Sequence, residues 1–170
     1  MIITGNKLLD ALDFLKERVK LLESQFQASL FRFEDDELER DPREVMRQYE
    51  EAQAKIARLM EVQSAYNLQV QVEVLGERMS LQRVLHLISS ASRVKSLWAK
   101  AAEPDQQNVY HFGSIRTRDR DNEYARRVVP VTEAEERAAT SARWALALKQ
   151  AIRSGNAREI EMDVPEDLFV

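Results

Sequence analysis

The chain has 170 residues, 44% hydrophobic and 32% charged, with a net charge of −4 at neutral pH and no cysteine. That length and apolar share predict one domain with a substantial core. The lack of cysteine excludes disulfides, thiolate metal centres and cysteine nucleophiles, and fits a reducing compartment.

In chain order, the first apolar pattern is Leu8, Leu12, Leu15, Val19, Leu22, Phe26, Leu30 and Phe33, in steps of three and four. This spacing keeps one stripe on one side of a helix. After the acidic stretch FEDDELERD, a second helix begins at DPREV. Asp41 is a natural N-cap, Pro42 fits the first helical position, and Glu44 fits a variant of the capping box. Val45, Tyr49, Ala52, Ile56, Leu59 and Tyr66 continue its apolar face. Two long helices with matching stripes and a short connection predict an antiparallel, coiled-coil-like hairpin over residues 1–66. A flank of the first helix carries its own repeat, Phe14, Leu21 and Ala28, one heptad apart and roughly 100° or more from the main stripe. It needs a cover, either the third or fourth helix of the same chain or a second copy of the hairpin, and the second copy is the expected one.

Beyond Tyr66 the period changes. Leu68, Val70, Val72 and Val74 alternate with polar residues, so a half-buried strand is expected over 67–75, closed by Gly76. Ser80 caps a third helix bearing Leu81, Val84, Leu85, Ile88, Ala91, Val94, Trp98 and Ala101, with Pro104 beyond its end. A fourth helix is predicted from Thr132, with Glu135 completing a capping box, to about Ser154 before Gly155. Its small face, Ala138, Ala142, Ala145, Leu148 and Ile152, suits a central position. Ile160, Met162 and Val164 alternate in the tail, which is expected to pair with the strand at 67–75. The fold class is therefore mainly α: a long antiparallel helical hairpin and two further helices, with minor antiparallel β pairing, in one domain over 1–170.

Function is read mostly by elimination. The glycines Gly5, Gly76, Gly113 and Gly155 allow neither a P-loop nor a dinucleotide fingerprint. His86 and His111 have no metal-ligand spacing or visible catalytic partner, and the run Glu34, Asp35, Asp36, Glu37 lacks the EF-hand pattern. Trp98 and Trp144 sit at helical core positions and are expected to be packing anchors. No catalytic, metal or cofactor residue is expected. A basic leader followed by an apolar run is missing at the start, and no segment is apolar enough to span a bilayer, so a cytoplasmic protein without a membrane partner is expected.

Residues 1–61 carry a net −4, residues 62–131 +3 and residues 132–170 −3. The middle excess gathers visually at Arg116, Arg118, Arg120, Arg126 and Arg127, read as two extended arms around a polar tip from Asp119 to Asn122. Interleaved acids leave residues 116–127 at only +2. That is too little for a dedicated phosphate-backbone reader; it fits a self-neutralised, salt-bridged surface tip, or a complement to an acidic surface of a neighbouring subunit. The expected function is a non-enzymatic, self-associating interaction protein. The alternative is a nucleic-acid-binding module using the 116–127 ribbon.

The segments LLDALDFLKERVKLLESQF, DPREV, YNLQVQVEVLGERMSL and VVPVTEAEERAATSARWALALKQAIRSGNAREIEMDV resemble, in order and layout, the septicolysin-like family of small bacterial helical proteins. The resemblance implies a small helical bacterial protein and assigns no site residue. The Arg116–Arg127 stretch has no counterpart in it. The family name suggests a cytolysin, although the residues supply neither a leader nor a basic amphipathic segment for pore formation.

Overall fold

A computed structural model describes residues 1–31, 41–103 and 128–169. Its elements are β1 (Ile2–Ile3), α1 (Gly5–Ser29), α2 (Pro42–Gln69), β2 (Gln71–Val74), β3 (Glu77–Ser80), α3 (Leu81–Ala102), α4 (Val131–Asn156) and β4 (Ile160–Glu161), followed by a 3₁₀ turn, Glu166–Phe169. The fold is mainly α with minor antiparallel β pairing, as the periodicities require.

The helices form two antiparallel pairs. α1 packs on α2, and α3 packs on α4 along most of its length. Leu8, Leu12, Leu15 and Leu22 turn inward from α1, and Val45, Ala52, Leu59 and Tyr66 answer from α2. The second pair meets through Leu81, Val84 and Ala91 of α3 and Ala145, Leu148, Ala151 and Gly155 of α4. All four helices converge at one end, where Gly5 approaches Asn156 and Tyr66, and Gly155 approaches Leu81 and Val72. The main core gathers at this base; a second, small cluster of Leu22, Val45 and Ala52 lies farther out between α1 and α2. Complete burial of each large apolar side chain contributes about 1.5–3 kcal/mol, so the base dominates stability.

Local chemistry sets the boundaries. Asp41 caps α2 by accepting a bond from the Arg43 amide at 2.9 Å, and Ser80 caps α3 by accepting one from the Arg83 amide at 3.2 Å. β2 and β3 form a two-residue hairpin with register Gln71↔Ser80 and Val74↔Glu77. Its turn places Leu75 at φ 49° and Gly76 at φ 87°, the positive values that two-residue hairpins demand.

Six expectations are corrected. α2 runs on to Gln69, so Leu68 is an exposed helical residue and the strand is only Gln71–Val74; two residues of apolar alternation were compatible with either period. β2 pairs with β3 rather than with the tail, because Gly76 permits a local hairpin that requires no long loop closure. The tail instead pairs with β1, with register Ile2↔Glu161 and Ile3↔Ile160. α4 starts one residue before Thr132, with Pro130 at the cap position and no side-chain cap bond; it also passes through Gly155, which is there for close packing rather than as a stop. Finally, the Glu44 carboxylate turns forward to Arg47 and Gln48 instead of completing a capping box. α4 packs mainly on α3 and β2 and reaches α1 only slightly, which makes it less central than its small residues suggested.

Candidate functional site

α1 presents the first candidate surface. Its buried leucines commit one side to α2. At about 100° per residue, Phe14, Leu21 and Ala28 lie about 115–155° around the helix from that side. Phe14 is 62% and Leu21 58% exposed, and Ala28 is exposed as well. The C-terminal 3₁₀ turn reaches the start of this flank, where the Lys7 ammonium sits 4.9 Å from the centre of the Phe169 ring. Asp10 and Glu17 border the stripe on one edge and Arg18 on the other, all exposed. Glu17 accepts a bond from Lys20 at 2.7 Å, which raises the lysine pKa.

α3 presents the second. It contains Arg83, Arg93, Lys95 and Lys100 and not one Asp or Glu. Arg83 pairs with Glu77 at 3.1 Å. Arg93, Lys95 and Lys100 are exposed and form no ion pair among the described residues. Beside them Val94 is 44% and Leu97 68% exposed. This surface was missed in reading the sequence, because the middle charge excess was credited to the arginine stretch. The available signal was the lack of any acid across residues 81–102.

Arg116, Arg118, Arg120, Arg126 and Arg127 lie outside the described residues, as do His111 and the acidic run Glu34 to Glu37. His86 is exposed on α3 and shares a 2.9 Å hydrogen bond with Gln82. Trp98 is partly buried under the Arg137 guanidinium, 6.0 Å from the ring centre, and Trp144 packs against the main core.

Polar order inside the molecule is structural. The Tyr66 hydroxyl shares its one proton between the carbonyl oxygens of Gly155 and Arg158, each 2.7 Å away, and the Gly5 amide faces its oxygen. Burial raises its pKa despite that amide. At the start of α2, Arg47 and Gln48 donate to Glu44 and hold its carboxyl at about 2, well below the usual range. Among the described residues no buried side-chain nitrogen or oxygen lacks a partner, and no three His, Asp or Glu side chains cluster to hold a metal ion. The two surfaces that stand out among the described residues are one exposed apolar flank, on α1, and one exposed cationic face, on α3.

No family model and no curated protein matches the chain. A solved structure does. The crystal structure of a functionally unknown conserved protein from Corynebacterium diphtheriae superposes with a TM-score of 0.67 at 15% identity, covering 95% of this chain and 100% of that one. The likeness is one of fold over nearly the whole length. No helix among the described residues is long and apolar enough to cross a membrane.

Proposed function

We propose that the protein is a non-enzymatic interaction protein that self-associates through the outer flank of α1. The observation that carries this reading is the exposure of Phe14 and Leu21, one heptad apart on a flank that α2 leaves uncovered. A second copy is the fitting cover, since a two-fold axis lets one apolar stripe bury itself against its own image. The charges favour α1 helices running the same way: the Asp10 and Glu17 edge of one then faces the Arg18 edge of the other. The septicolysin-like resemblance adds a lineage to this proposal and no mechanism.

The experiment is solution mass by light scattering with circular dichroism. The unmodified chain is expected to be oligomeric at tens of micromolar, and a Phe14→Glu, Leu21→Glu double variant a folded monomer. A monomeric unmodified chain overturns the reading, and a double variant that unfolds places these residues in the intrachain core. The second reading, nucleic-acid binding through Arg116 to Arg127, draws support from the acid-free α3 that leads toward that segment.

A further inference from the structure

We infer that the outer face of α3 docks the acidic, aromatic segment that follows α1, residues 31–37, from a second copy of the chain. The inference rests on the self-association reading and names a second surface for it.

The face has a definite layout. His86, Arg93 and Lys100 recur every seven residues, spanning about 21 Å of helix at 1.5 Å per residue. The drift of a straight helix from a strict heptad is only ~20° per repeat, so the three share one stripe. Arg93 and Lys100 are exposed and engage no carboxylate among the described residues, and no Asp or Glu stands on the helix that carries them. Val94 and Leu97 lie among these charges, exposed. A surface of cations around apolar side chains fits a partner that carries carboxylates and apolar groups together. A phosphate backbone would leave Leu97 without a matching group.

The chain itself supplies such a partner. Phe31 is 86% exposed at the end of α1, and the sequence continues Arg32, Phe33, Glu34, Asp35, Asp36, Glu37. Four consecutive carboxylates beside two phenylalanines complement Arg93, Lys100, Val94 and Leu97 in both charge and polarity. Arginine is suited to the task because its fork takes a carboxylate through two parallel bonds. The overall −4 charge of the protein opposes a polyanionic nucleic acid more than a short acidic segment of the same protein.

The test measures fluorescence anisotropy of a labelled peptide of residues 30–41 with the full-length protein. It is run on the unmodified chain, the Phe14→Glu, Leu21→Glu variant, and an Arg93→Glu, Lys100→Glu variant whose fold is verified by circular dichroism. The first two are expected to bind the peptide with affinity that falls as salt rises, because exposed charges are screened within about 8–10 Å. The third is expected to bind about tenfold or more weakly, as reversal replaces attraction by repulsion at two sites. A peptide with its acids changed to Asn and Gln should bind weakly to all three. Absence of peptide binding to the first two, or binding unchanged in the α3 variant, overturns the inference. So does an α3 face that takes duplex DNA and not the peptide. Because the peptide is also measured on the flank variant, the result is independent of whether the α1 flank assembles the chain.

Discussion

Tyr66 is the residue on which three elements depend. Its hydroxyl joins the first turn of α1 to the last turn of α4, and its ring lies 2.9 Å from where a side chain on Gly5 would begin. Tyr66→Phe should lower stability by about 0.5–1.5 kcal/mol, the net worth of a hydroxyl bond, because the Gly155 carbonyl keeps a bond from the Arg158 amide; the change is read from the urea midpoint at unchanged slope. The two packed glycines separate by what surrounds them. A methyl on Gly5 meets the Asn156 backbone and the fixed Tyr66 ring, both at 2.9 Å, whereas one on Gly155 meets Leu81 and Val72 methyls at 2.9 and 3.1 Å. Gly155→Ala also gains up to about 1 kcal/mol of helix propensity. Gly5→Ala is therefore expected to lower the melting temperature more than Gly155→Ala, and the reverse order would contradict this geometry. Leu75, exposed at φ 49°, works the other way: Leu75→Asn should stabilise by roughly 0.5–1 kcal/mol, since Asn tolerates the left-handed region better.

At the scale of elements, the start of α2 combines a cap with a pH-sensitive cluster. Removing the cap with Asp41→Ala should cost about 0.5–2 kcal/mol. Glu44 is an ordinary 4.5 carboxyl when unfolded and sits at about 2 when folded. Its contribution is thus present above about 4.5 and fades as pH falls through about 2. Glu44→Gln should flatten the acid limb of melting temperature against pH in that window, and added salt should flatten it too, because the cluster is exposed. A limb unchanged by the substitution would remove Glu44 from acid denaturation. These boundaries were legible in the sequence because Asp41, Pro42 and Ser80 act through bonds to their own neighbours. The β pairing was not. Leu68 alternates with Val70 like a strand residue although α2 still contains it, and no local signal tells Ile160 to choose Ile3 over Val72 as a partner. The α1 flank showed in the heptad spacing of Phe14 and Leu21. The α3 face escaped because charge was weighed by clusters of arginine and not by where acids are missing.

The whole molecule is two helical pairs anchored at one base, and stability is unevenly shared between base and distal ends. Near the base, α1 and α2 are backed by Leu81, Val84, Leu148 and the β2–β3 hairpin. Farther out, Leu22, Val45 and Ala52 form a separate small cluster, backed among the described residues by Val19, Phe26 and Tyr49. Such a region can open without disturbing the core, since sub-global opening costs only the contacts it breaks. Native-state hydrogen exchange should therefore show the amides of residues 20–29 and 45–52 exchanging through a cheaper opening than those of residues 8–15 and 59–66. Denaturant should affect the two groups with different slopes. If both groups merge at the global unfolding free energy, the α1–α2 pair is one cooperative unit and the distal cluster is stronger than its three buried side chains imply. Concentration adds a second reading to the same measurement. An assembly covering Phe14 and Leu21 would raise protection across α1 as protein concentration rises, by mass action, and the Phe14→Glu, Leu21→Glu variant should lose that dependence while retaining the base-to-distal gradient.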